Sequence, residues 1–257
     1  MLVILRKELR EVLGNRMLVS SLASLPLTMV GVSLAVIATY VNADEATVQA
    51  MAHYYAPEAK GSGALAGLLD KTLRNSVGFF LAMPAFLPVL IASQSVAGEK
   101  ERRTLEPLLA TPVTALDVVL AKSLAAVIPA MIITLVSFVA FAIGADLLCA
   151  KALDRWPLPD AHFAFCLLVL APLLSFFANC VSVTISARVG DLRLAQSLAG
   201  LTVMPIFSVL ALQFAGLLTL GGWAYPAAAV LALIVDLGLL RLAVSMFDRD
   251  RLLTRWS

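Results

Sequence analysis

Residues 123–149 read SLAAVIPAMIITLVSFVAFAIGADLLC, a run whose single charged side chain is Asp146. An α-helix rises about 1.5 Å per residue, so roughly 20 apolar residues cross the hydrocarbon core of a bilayer. This stretch is long enough, and five others share its character: about 17–41, 76–96, 162–186, 195–219 and 225–245. The composition agrees. Of 257 residues, 61% are apolar and 14% charged, with a mean hydropathy of +0.93. A soluble domain holds about 45–50% apolar and about 25% charged residues. These values exclude a water-soluble domain and a disordered, collagenous or disulfide-built chain. The expected fold is an all-α integral membrane protein, with residues 1–257 forming a single transmembrane domain of six helices. The first apolar stretch is too long for a signal peptide, whose core is about 7–15 residues. No soluble catalytic domain fits in what remains.

Lysine and arginine concentrate in cytoplasmic loops, and this bias sets orientation. One side of the expected bundle carries Arg6, Lys7, Arg10, Arg16, Lys100, Arg102, Arg103, Lys122, Arg188, Arg193, Arg241, Arg249, Arg251 and Arg255. The other carries Lys60, Lys71, Arg74, Lys151 and Arg155. Both termini are therefore expected in the cytoplasm, as an even number of spans requires. Trp156 and Trp223 fall at outer span ends and Trp256 beyond an inner end, where tryptophan anchors helices at headgroup level. Pro26, Pro84, Pro88, Pro129, Pro172 and Pro205 lie inside the first five spans. Each deletes a backbone donor, which favours bent helices.

Two segments outside the spans carry more than connection. The first, MLVILRKELREVL, places Leu2, Leu5, Leu9, Val12 and Leu13 at helical spacing, opposite Arg6, Lys7, Arg10 and Glu11. It predicts an amphipathic helix along the membrane surface. The second runs from Gly98 to Asp117, GEKERRTLEPLLATPVTALD. It is dense in charge, yet Leu105, Leu108, Leu109 and Val113 keep an apolar helical face. Pro112 fixes a turn, after which Thr114 and Asp117 read as a capping pair for the next helix. A short helix, a turn and a fresh cap suit a surface that docks a soluble protein. Residues 42–75 read as an outer loop, with a short helix around Gly67 and an aromatic cluster at His53, Tyr54 and Tyr55.

The pattern Glu-x-Glu-x-x-Thr-Leu-Glu-x-Leu-Leu-x-x-Pro-Val from Glu99 to Val113 resembles the signature of ABC-2 type transporter permeases. Lys7-Glu8-Leu9, shortly before Arg16, resembles that family's N-terminal elbow helix, here residues 1–16. The closing Arg249–Trp256 is similar to the tail of its compact members. The resemblance implies a permease subunit in the cell membrane, functioning as an exporter. It also implies a second permease subunit and cytoplasmic ATPase subunits that bind ATP and Mg2+. Within the 97–122 loop it implies a coupling helix, contacting the ATPase through Glu99, Glu101, Arg102, Thr104, Leu105, Glu106, Leu108, Leu109 and Pro112. It further implies a broken outer hairpin, for which residues 213–225, with Gly216, Gly221 and Gly222, are the candidates.

This chain is not expected to be an enzyme. It contains no Gly-x-x-x-x-Gly-Lys-[Ser/Thr] phosphate loop, so any ATP would be bound by a partner. Three cysteines without a Cys-x-x-Cys pair, and only His53 and His162, support no metal site and no cofactor. An intramembrane protease would need a deep serine–histidine pair, which is not evident. A secondary transporter would be expected to show internal repeats, and the halves 1–125 and 126–257 show no convincing similarity. Asp236 sits mid-span, where a charge costs about 2.5–3.5 kcal/mol and is normally paired, protonated or facing a hydrated cavity. It is the leading candidate for a translocation path, with Gln94, Asn179 and Gln213 as partners or lining groups. Asp146, nearer an outer end, reads as solvated.

The orientation is testable by cysteine labelling in intact cells. A cysteine introduced within residues 44–60 should react from outside. Arg102→Cys should react only after permeabilisation, and its outside labelling would overturn the topology.

Overall fold

A computed structural model describes residues 2–57, 63–101, 115–189, 191–215, 217–218 and 220–246. All regular structure among them is helical. Helix α1 (Leu2–Gly14) is followed at once by α2 (Arg16–Val41), where the Asn15 side chain caps α2 by accepting the Leu18 N–H at 3.1 Å. After α2 comes α3 (Glu45–Tyr55), opened by Asp44, which accepts from the Thr47 hydroxyl at 2.7 Å and its N–H at 3.3 Å. Those two bonds hold the Asp44 carboxyl below its ordinary pKa. Helices α4 (Ala64–Glu101) and α5 (Ala115–Leu153) follow. The fourth span consists of α6 (Ala161–Phe165), a π turn (Cys166–Leu170) and α7 (Ala171–Arg188). Helices α8 (Leu192–Phe214) and α9 (Ala224–Met246) complete the bundle.

Among the described residues, six helices are long and apolar enough to cross a membrane: Leu18–Val41, Ala64–Ala92, Leu116–Leu153, Ala161–Ser186, Arg193–Gln213 and Ala224–Ser245. The protein is therefore an all-α integral membrane protein. The second span departs most from its expected limits. It starts at Ala64 rather than near 76, because α4 carries Asp70, Lys71 and Arg74 as helical residues instead of beginning after them. What reads as an outer loop is thus a separate helix, α3, followed by the first turns of α4. At 38 residues, α4 is about 57 Å long, well beyond the bilayer core.

Helix α4 occupies the centre. Within its most apolar stretch 78% of residues are buried, against 17% for α9, and α2, α3, α5, α7 and α8 all pack on it. Phe80 anchors an aromatic cluster, with ring centroids 5.6 Å from Phe138, 4.9 Å from Phe141 and 6.3 Å from Phe163. Aromatic pairs at these separations add about 0.5–1.5 kcal/mol beyond the area they bury. At the bundle perimeter, Ile132, Val136, Val139, Ile143 and Leu147 form an exposed stripe along α5, as suits a face turned to lipid. Trp156 and Trp223 are exposed at helix ends, in keeping with interfacial anchoring. Pro172 begins α7 directly after the π turn, in which the Ala171 N–H donates to the Cys166 carbonyl. The five-residue register spreads the disturbance that a helix-interior proline creates.

Asp146 corrects the sequence reading. It is 6% exposed and its carboxylate accepts the Leu158 N–H at 3.1 Å. The segment after α5 folds back over it, so a residue near a span end is shielded by its own connection.

Small residues let the central helix approach its neighbours. A Cβ at Gly78 would lie 2.6 Å from the Leu210 carbonyl oxygen of α8, a contact that only backbone displacement relieves. A Cβ at Gly200 meets nothing within 4 Å. Gly78→Ala should therefore cost about 1–3 kcal/mol by overpacking, seen as a lower unfolding midpoint in detergent. Gly200→Ala should be neutral or slightly stabilising.

Candidate functional site

Helix α1 lies along the start of α5 and buries Ile4, Glu8 and Val12, which share one face at intervals of four. The buried face is thus rotated from the expected leucine stripe, and an acidic residue stands in its middle. Glu8 meets Lys122 of α5 at 3.0 Å, with the two side chains 3% and 1% exposed. Desolvating two charges costs several kcal/mol per ion, and only close pairing offsets it. The pair therefore fixes the register of α1 against α5. Lys7, by contrast, lies on the exposed side and pairs with Glu11 at 3.6 Å. Glu8 was legible as part of the elbow motif. Lys122 was not singled out, although a lysine in an otherwise apolar run, Leu-Ala-Lys-Ser-Leu, is the signal that could have found it.

Glu99 and Glu101 belong to the last turn of α4. Arg102, Thr104, Leu105, Glu106, Leu108, Leu109 and Pro112 lie outside the described residues, as do Thr114, Gly216 and the Arg249–Trp256 tail. The segment joining α4 to α5 therefore has fixed ends: one on the central helix, the other seven residues before Lys122.

Of the residues proposed for a translocation path, Asp236 and Asn179 both neighbour Cys180, while Gln213 stands apart from them. Asp236 of α9 is 3% exposed and neither carboxylate oxygen has a hydrogen-bond partner. It lies within electrostatic reach of Cys180 on α7. Asn179 is not its partner: its amide donates to the Ser123 hydroxyl of α5 at 2.7 Å, leaving Oδ1 unpaired. Asn179 belongs to a buried polar line on α7, Ser175, Asn179, Ser182 and Ser186, in which Ser182 donates to the Val89 carbonyl of α4 at 3.4 Å. Gln213 is elsewhere, at the end of the bundle opposite α1, where its amide donates to the Tyr225 hydroxyl. The His162 ring stands edge-on to Tyr225 at 4.4 Å between centroids. Gln94 is on α4. The 213–225 segment does separate two helices, α8 ending at Phe214 and α9 starting at Ala224.

Removing one member of the Glu8–Lys122 pair strands the other charge in an apolar interface. Glu8→Gln should cost about 3–5 kcal/mol, read as thermal unfolding in detergent. The double variant Glu8→Gln/Lys122→Met should recover most of that loss.

Residues 2–232 match the family described as ABC-2 family transporter protein. No curated protein matches the chain. The match takes in α1, five complete spans and part of α9.

Proposed function

The chain belongs to the ABC-2 transporter family, and from that premise we propose that it is the permease subunit of an ATP-driven exporter. As a multi-pass membrane transport component, it contributes the membrane path. In this reading a second permease subunit, identical or homologous, completes the path, and cytoplasmic ATPase subunits supply ATP and Mg2+ chemistry. Both termini then face the cytoplasm of a cell membrane, as the distribution of lysine and arginine favours.

The observation that carries the reading is where the helices on either side of the joining segment lie: α4 is described to Glu101 and α5 from Ala115, and α5 is itself pinned to α1 through Lys122. A partner that grips this segment acts on the most buried helix of the bundle at one end and on a locked helix pair at the other. Asp236 is proposed as a polar group of the path, since an unpaired buried carboxyl is otherwise a costly occupant of a span.

Leu105, Leu108 and Leu109 are the expected anchors in the ATPase, each worth roughly 1.5–3 kcal/mol if fully buried there. Glu101, Arg102 and Glu106 set orientation, because exposed ion pairs contribute only about 0–1 kcal/mol. Leu108→Asp should leave the permease folded while stripping away the ATPase or abolishing its stimulation. Pull-down of the ATPase together with ATP hydrolysis reads this directly. A Leu108→Asp protein that holds its ATPase and turns over normally would remove the docking role. Transport by the isolated chain on an ion gradient would favour a secondary transporter instead.

A further inference from the structure

At the end of the bundle opposite α1, two adjoining cavities of about 180 Å³ each share Lys71 and Asn75 of α4. The second is also lined by Arg74 of α4, His162 of α6, Gln213 of α8 and Tyr225 of α9. Two cations from consecutive turns of one helix thus face polar groups from three others. Among the described residues, neither Lys71 nor Arg74 has a carboxylate within salt-bridge distance. The neighbouring acid, Asp70, is already held by Arg155 at 2.6 Å. Asp160, the acid that acts on His162, accepts the Phe163 N–H at 2.8 Å as a helix cap.

The polar groups of this cavity are also incompletely used. His162 Nε2 and Gln213 Oε1 are shut off from solvent and have no hydrogen-bond partner, and Gln213 as a whole is 2% exposed. A buried polar atom left unpaired is costly: His162 Nε2, in the tautomer that carries its proton there, is a donor that an anion completes, whereas Gln213 Oε1 is an acceptor and does not argue for one. Tyr225 accepts from the Gln213 amide, which leaves its own O–H free to donate into the cavity.

We propose that this cavity is an anion site that takes a phosphate group, either free or as a phosphate ester. The donors number more than the two oxygens of a carboxylate use. The Lys71 ammonium, the Arg74 guanidinium, the His162 ring, the Asn75 amide and the Tyr225 hydroxyl approach from several helices, and a phosphate offers three or four oxygens around a tetrahedral centre. Arginine forks suit phosphate geometry, and lysine supplies a point charge beside them. The two sources of that chemistry are an anionic lipid headgroup and a soluble phosphorylated molecule. The site is independent of how ATP hydrolysis is coupled, and it holds whether or not residues 99–113 dock an ATPase.

The test uses the full chain in nanodiscs of phosphatidylcholine, with two probes. One arm titrates glycerol 3-phosphate by calorimetry; the other replaces a fraction of the lipid with phosphatidylglycerol and measures lipid retention by native mass spectrometry. Binding in the first arm identifies a soluble phosphate ester as the source, and retention in the second identifies a lipid. Lys71→Gln and Tyr225→Phe should each weaken the positive arm about tenfold, as loss of one charge-assisted contact implies. Tyr225→Phe keeps the ring but also removes the acceptor of the buried Gln213 amide, so its unfolding midpoint is measured beside its binding, and Lys71→Gln carries the test if that midpoint falls. Lys151→Gln, an exposed cation on α5 outside the cavity, is the control. No binding in either arm, or equal weakening by Lys151→Gln and Lys71→Gln, overturns the site.

Discussion

The burial of α4 is the constraint on which the rest of the molecule depends. A helix surrounded by protein on nearly every side must satisfy its polar groups from its neighbours, since neither lipid nor bulk water reaches them. The Ser182–Val89 bond answers that requirement, while the aromatic cluster around Phe80 and the close backbone approach at Gly78 fill the space around the helix. Because α4 outruns the bilayer core at both ends, it also connects two chemically different regions. Lys71 and Arg74 stand at one end, and Glu99 and Glu101 open the charged segment at the other. Displacing either end moves a rod that five helices grip.

The peripheral helices work differently. Helix α9 is covered mainly by α7 and leaves most of its apolar surface open, so it is the span most free to move or to meet another subunit. Asp236 lies on its covered side, where a carboxyl without a hydrogen-bond partner weakens rather than strengthens the α7–α9 contact. The π turn and Pro172 place a further irregularity in the span against which α9 packs. The most extensive packing joins α4 to α7 and α8, and the thinnest cover is that of α9.

Much of this was legible in the chain, for a simple reason. Crossing a bilayer demands length and apolarity, both of which a sequence displays locally, so the six spans, and by its periodicity the helix α1, could be read directly. What escaped were pairings across distance. Glu8 and Lys122 stand 114 positions apart, and nothing local says that an acid on an amphipathic helix will be buried. The same holds for Asp146, whose partner Leu158 arrives only when the chain doubles back. The start of α4 was misplaced because Asp70, Lys71 and Arg74 read as loop polarity, whereas Asp70 is neutralised by Arg155 and the two cations face a polar cavity. Asn179 and Gln213 read as partners of Asp236 or as lining groups, and their hydrogen-bond partners, Ser123 and Tyr225, lie on other helices.

The central claim is that motion delivered between α4 and α5 is transmitted along the central helix to the far end of the bundle. Tyr54 of α3 and Leu217 of the α8–α9 connection are both exposed near that end, and the three native cysteines are buried. Spin labels at Tyr54→Cys and Leu217→Cys therefore allow a distance measurement across it by pulsed electron resonance. In a complex with the proposed ATPase, the distance distribution should shift between the nucleotide-free and ATP-bound states. An unchanged distribution, with ATP demonstrably bound, would contradict transmission through α4.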